Sequence, residues 1–163
     1  MNGMMVKKAE ADHVPEIVEI WMELMDHHSN LDPFFTRRVD GHENYRRHLE
    51  TLLGSDSSLI AVAIEDGHVI GYSAAEIAYY PPVLERERYG LIKEMAVRPS
   101  FRRKGVGEQM LAYLNGWFDD QGVGRIELRV VSKNVMGRSF WEKHGFREYR
   151  LMLYRDVDGG SGH

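Results

Sequence analysis

The sequence contains no cysteine. Its absence excludes disulfide cross-links, a thiolate nucleophile and thiolate metal sites. No apolar run approaches about 18 residues, so no membrane-spanning helix is expected. The opening residues, MNGMMVKKAEAD, lack the apolar stretch of a secretory signal, and a cytoplasmic location is the expectation. Positive charge is in deficit: 21 Lys and Arg stand against 25 Asp and Glu, a net charge of -4 with histidines neutral. General nucleic-acid binding wants a broad basic surface, and this composition argues against it.

What is present is ordinary for a soluble globular chain: 43% hydrophobic and 28% charged residues. A length of 163 residues suits one domain with a substantial core. That domain is expected over residues 4–157. The closing GGSGH, within 158–163, reads as a flexible tail or an added remnant.

Periodicity gives the order of elements. Met4 to Ala9 reads as a strand. Asp12 is placed to cap a helix, with Pro15 in its first turn and Val14, Ile17, Ile20, Trp21, Leu24 and Met25 at helical spacing to about His28. Asn30 to Pro33 stops it. A second helix starts near Asp40, where Glu43 completes a capping-box spacing, and Gly54 suits its end. Two strand-like runs flank Asp66-Gly67, the dipeptide of a tight hairpin turn. Tyr89 to Val97 reads as another strand. A helix from Val106 to about Gly122 follows, then a β-rich run from Arg125 to Val131. A short helix over Met136 to His144 and a final strand from Phe146 to Val157 complete the chain. The order is β-αα-βββ-α-β-α-β.

One stretch carries the functional signal. In MAVRPSFRRKGVGEQML, three cations precede a Gly-x-Gly turn and a helix follows at once. A helix N-terminus already carries positive partial charge, so Arg102, Arg103 and Lys104 are unfavourably placed unless something negative belongs there. A phosphate-binding P-loop fails, because Glu108 follows Gly107 with no Ser or Thr for magnesium. A dinucleotide fingerprint fails where Met110 replaces the third glycine. The outward-pointing amides of a helix start still favour a phosphate or pyrophosphate, bound without metal, and glycines let it come close. A solvated basic loop remains the plain alternative.

Arg102-x-x-Gly105-x-Gly107, set between a strand and a helix, resembles the acyl-CoA-binding motif of the GCN5-related N-acetyltransferases. Glu94 to Pro99 resembles the family's fourth strand and exit. Asn134, followed by Phe140-Trp141-Glu142-Lys143-His144-Gly145-Phe146, resembles its fifth strand's continuation and helix. The resemblance implies a single-domain α/β fold. Its sheet is mixed and mostly antiparallel, with splayed central strands and flanking helices. It also implies acetyl-CoA as co-substrate, with no metal.

By the same resemblance, the CoA pyrophosphate would sit on the backbone of Arg102, Arg103, Lys104, Gly105, Val106, Gly107 and Glu108. The pantetheine arm would pair with Met95, Ala96 and Val97, and Asn134 would touch that arm or the adenylate side. Gly137 replaces the usual alanine. Trp141 stands where many members have a tyrosine acid, and an indole N–H is no useful acid near neutral pH. Tyr149, Tyr154 or water could serve, or the thiolate could leave unaided.

An ammonium has no lone pair, so the acceptor amine needs a base. Glu94 is the best placed carboxylate, and burial would raise its pKa toward the useful range. The competing role for Glu94 is a structural ion pair with Arg98 or Lys93; Glu76 is the reserve base. Asp32, Glu76 and Glu85 would suit a cationic acceptor, and Tyr79, Tyr80, Phe34 and Phe35 could wall its pocket. His27 and His28 are adjacent, without the spacing that puts two metal ligands on one helical face. The expected acceptor is a small-molecule, peptide or protein amine, with no nucleic acid or membrane partner, and a homodimer is allowed for by analogy. Two other classes stay open: a catalytically idle acyl-CoA-binding module on the same fold, and a nucleotide-binding protein using the turn for another phosphate.

Overall fold

The computed structural model describes residues 3–157, which fall into two compact units, 3–131 and 132–157. The expected tail at 158–163 lies outside the described residues.

In the first unit, β1 (Met4–Lys8), β2 (Ser58–Glu65), β3 (His68–Tyr79), β4 (Arg88–Val97) and β5 (Ile126–Leu128) form one sheet in that order. Every pair is antiparallel except β4 with β5, which are parallel. Helices α1 (Val14–Leu31), α2 (Gly41–Leu53) and α3 (Val106–Gln121) flank it. The expected mixed α/β sheet is present.

Local chemistry explains most boundaries. Asp66 and Gly67 both adopt positive φ, 51° and 79°, which is what a two-residue hairpin turn matching strand twist requires. Helix α3 stops at Gly122, left-handed at φ 74°. Helix α1 buries Val14, Ile17, Val18, Ile20 and Trp21 against β2 and β3, so its apolar stripe faces the sheet as its periodicity implies. Phe118 of α3 covers Gly90 of β4 so closely that a Cβ there would lie 2.5 Å from the ring.

Two capping expectations need correction. The turn Ala11–His13 precedes α1, so His13 rather than Asp12 sits at its N-cap. Asp40 does precede α2 but makes no side-chain cap. Its carboxylate accepts instead from Arg38 Nε at 3.0 Å, and Glu43 pairs with Arg46. A guanidinium is a stronger partner for a carboxylate than a backbone amide, so the cap is lost to it.

Arg98, at the exit of β4, ties α1 to the sheet. Its Nε donates to the Val69 carbonyl, and its terminal nitrogens reach Glu23 and Glu19, each at 3.0 Å.

In the second unit, α4 (Val135–Lys143) is capped by Asn134, whose Oδ1 accepts from the Gly137 amide at 3.0 Å. The expected strand over Phe146 to Val157 is not formed. Strands need partners, and this unit offers none among its described residues; Leu151, Met152, Leu153 and Tyr154 lie exposed. The β-rich run from Arg125 to Val131 likewise shortens to β5, three residues long.

Candidate functional site

The Gly turn has the backbone its sequence implies. After the single turn Pro99–Phe101, Arg103 and Gly105 take left-handed φ values of 62° and 82°. Gly105 occupies the N-cap of α3, where no side chain caps the helix. The first intrahelical bond of α3 is Gln109 N–H to Gly105 C=O, at 3.1 Å. The Val106 and Gly107 amides therefore have no acceptor within the helix, which is the arrangement that favours an anion. A left-handed arginine is unfavourable, and such strain gathers where a ligand is handled. Two of the three cations also shape the loop. Arg102 Nε donates back to the Val97 carbonyl at 3.1 Å, and the Lys104 ammonium lies 5.6 Å from the Phe101 ring centre.

Immediately before the turn, β4 is half-paired. Its ladder with β5 covers only Gly90, Leu91 and Ile92, opposite Ile126, Glu127 and Leu128. Beyond Ile92 the pairing continues with β3 alone, out to Val97 opposite Gly71. Met95, Ala96 and Val97 thus present a strand edge on the β5 side. The register with β3 slips where Ala74 faces Glu94 while Ala75 faces Ile92, so Lys93 is the extra residue of a bulge. Bulges re-aim side chains, and here the bulge sets the direction of Glu94. Ser73 Oγ donates to the Glu94 carbonyl at 2.7 Å, supplying a partner beside the disturbed ladder.

The Glu94 carboxylate is half-buried and accepts a hydrogen bond from the Tyr45 hydroxyl of α2. The buried Tyr72 hydroxyl lies 3.4 Å from that of Tyr45. Burial pushes the Glu94 pKa up, partly offset by the Tyr45 hydrogen bond. Burial also raises both tyrosines, so each stays a neutral donor. The ion pairs considered for Glu94 are made elsewhere: Lys93 lies 3.9 Å from Glu76, and Arg98 serves α1. Glu76, the reserve base, is thereby engaged.

Tyr45 also borders a cleft of about 430 Å³. Its walls include the stacked rings of Trp21 and Tyr45, with centroids 4.6 Å apart, together with Met25, Asn44, Arg37 and Arg38. Among the described residues no aspartate or glutamate lines it. The acceptor residues expected from sequence lie elsewhere. Asp32 Oδ1 accepts from the Phe34 amide, Glu85 is exposed, and Phe34 and Tyr79 are exposed. Tyr80 stacks on Tyr89 and donates to Glu127 at 2.6 Å. His28 packs against Phe35.

In the second unit, Asn134 acts as the α4 cap. A Cβ at Gly137 would fall 2.5 Å from Asn134 Nδ2, so the glycine makes room for that capping side chain. Trp141 packs edge-on against Phe140 and Phe146. Tyr149 and Tyr154 are exposed.

Sequence reading missed Tyr45, Tyr72, Trp21 and Arg37 as site residues. Tyr45 shares the apolar stripe of α2 with Leu49, Leu52 and Leu53, where helical spacing marks it only as core. The usable signal was its hydroxyl, since a tyrosine in such a stripe needs a polar partner once buried.

Comparison with known proteins bears on the fold and the family. The model of the acetyltransferase (GNAT) family matches residues 18–146. An uncharacterized N-acetyltransferase of Archaeoglobus fulgidus is 26% identical over 159 residues, covering 98% of this chain and 99% of its own. A mutant of the BH1408 protein from Bacillus halodurans superposes with a TM-score of 0.86 at 16% identity, over 94% of this chain and 99% of that one. An aminoglycoside N-acetyltransferase in complex with CoA superposes with a TM-score of 0.72 at 22% identity, over 94% and 95%. The chain belongs to the GNAT family of acetyltransferases.

Proposed function

We propose that this acetyltransferase moves an acetyl group from acetyl-CoA directly to an amine nitrogen, within one complex of all three, and that residues 4–157 work as one N-acetyltransferase domain. The observation that carries the reading is the sequence of features along β4. A carboxylate of raised pKa sits on a bulge, an unpaired strand edge follows it, and an uncapped helix start follows that. The solved aminoglycoside N-acetyltransferase that shares the fold holds CoA, which supports the choice of co-substrate.

In this reading the amides from Arg103 to Glu108 hold the pyrophosphate, with the side chains of Arg102, Arg103 and Lys104 beside it; the Arg102 amide, expected to join them, donates instead to the Pro99 carbonyl at 3.3 Å. Met95, Ala96 and Val97 pair with the pantetheine arm, and Asn134 keeps the role the family resemblance implies, toward that arm or the adenylate side. Backbone N–H groups of β4 polarise the thioester carbonyl. Glu94 takes the amine proton, directly or through water, with Tyr45 orienting its carboxylate. The nitrogen lone pair then attacks the carbonyl carbon, the C–S bond breaks with its electron pair leaving on sulfur, and the second proton of the nitrogen passes to the thiolate or to water, giving the amide and free CoA. Trp141 packs and donates no proton to the departing thiolate. Holding both reactants supplies much of the rate.

Titration with acetyl-CoA tests the cofactor site. A dissociation constant on the order of 1 μM to 1 mM is expected. Gly107→Val should weaken it at least about tenfold, because the branched side chain blocks access to the helix-start amides. Valine is no worse than glycine in a helix, so the melting temperature should hold. Unchanged affinity in a folded variant would remove the assignment.

A further inference from the structure

Resting on the transfer reading above, we infer that the acceptor is a small amine that also bears a carboxylate next to an apolar group, an amino-acid-like molecule rather than a polycation. The cleft that Tyr45 shares with the Glu94 site is the basis. One wall is apolar and flat: the Trp21 and Tyr45 rings are stacked at an interplanar angle of 8°, with Met25 beside them. Arg37 and Arg38 also border the cleft, and each donates through Nε to an aspartate, Asp26 and Asp40 respectively, at 3.0 Å. Each guanidinium keeps its two terminal nitrogens for a further partner, and that planar fork matches a carboxylate. Arg37 is the stronger candidate, since its side chain is 28% exposed against 79% for Arg38. Water screens a partly buried fork less, so its attraction for a carboxylate is stronger.

Two further facts point the same way. Helix α2 starts at Gly41, on this border, with Asp40 drawn off to Arg38 instead of capping, so the positive end of the helix faces the cleft without a side-chain cap. Of the carboxylates that could attract a polyamine, Asp26 and Asp40 are engaged by Arg37 and Arg38, and Asp32, Glu76 and Glu85 are not among the residues that line the cleft. The amine end belongs beside Tyr45, whose hydroxyl touches Glu94. The carboxylate end belongs at Arg37.

The test uses acetyl-CoA with matched acceptors: phenylalanine against phenethylamine, 6-aminohexanoate against hexylamine, and kanamycin as a polycation. The expected result is a kcat/KM at least about tenfold higher for the acid in one matched pair, the range of a hydrogen bond to a charged group. In Arg37→Gln that ratio should fall toward one, carried mainly by KM. Arg37→Lys should keep part of it, as a charge without the fork, and the melting temperature of each variant confirms folding. Preference for the decarboxylated amines or for kanamycin overturns the inference and leaves acetyl transfer standing. So does a ratio that Arg37→Gln leaves untouched. Acetyl-CoA binding without transfer to any amine overturns the transfer reading, and this inference with it.

Discussion

Glu94→Gln is expected to lower kcat by about 10²–10⁴-fold, the range for loss of a general base. The amide keeps the shape of the carboxylate and can still accept from Tyr45, but it cannot take a proton. Acetyl-CoA affinity should change little, because backbone groups make the proposed contacts. The pH profile gives the sign. Burial raises the Glu94 pKa, so the wild-type rate should climb through an ionisation above the usual carboxylate range, and the variant should lose that limb. Stability moves the other way. A carboxyl whose folded pKa is raised favours the folded state in its protonated form. That contribution is fully present below the unfolded pKa and is lost as pH rises through the folded one. At neutral pH the variant therefore sheds a buried charge, and its melting temperature should hold or rise. A structural ion pair would give the reverse pattern: a lower melting temperature with the pH profile kept. Normal turnover at neutral pH would clear Glu94 and move the search to Glu76 or a water chain.

Phe118→Ala should be the most damaging core change, at about 3–5 kcal/mol, lowering the melting temperature by about 6–20 °C. The ring is 1% exposed and lies directly over Gly90, the first residue of the β4–β5 ladder. Gly90→Ala should cost about 1–3 kcal/mol for the opposite reason, since its Cβ would meet Phe118 Cε1 at 2.5 Å. The double variant should lose less than the sum, because the new methyl occupies part of the vacated space. Additive losses, measured by denaturant unfolding, would show that the two residues do not share that contact.

The legible parts of this protein were those written in local chemistry. The hairpin at Asp66-Gly67 and the turn at Gly105 demand positive φ, and few residues accept it. Helices α1 and α3 announce themselves by spacing. The site is harder to read, because its key contact joins Tyr45 to Glu94 across 49 residues and periodicity sees only the apolar half of a tyrosine. The bulge at Lys93 leaves no mark on composition, since it exists only as a mismatch with β3. The Asp40 cap failed to form because Arg38, two residues away, competes for the carboxylate. The expected last strand failed because strand formation depends on a partner, which spacing cannot supply.

The edge of β4 from Lys93 to Val97, which no strand covers among the described residues and where Arg102 Nε meets the Val97 carbonyl, has a consequence for the lifetime of the protein. A central strand with one side of its ladder missing opens more readily than its neighbours, and it offers unmatched amides to any extended chain that arrives. A co-substrate lying along that edge would act as a surrogate strand. At about 100 times its dissociation constant it would add about 2.7 kcal/mol, a rise of about 5–10 °C in melting temperature. The proposed pairing would then couple the abundance of the enzyme to the supply of its donor: scarcity of acyl donor would leave more of the chain open to proteolysis, and plenty would protect it.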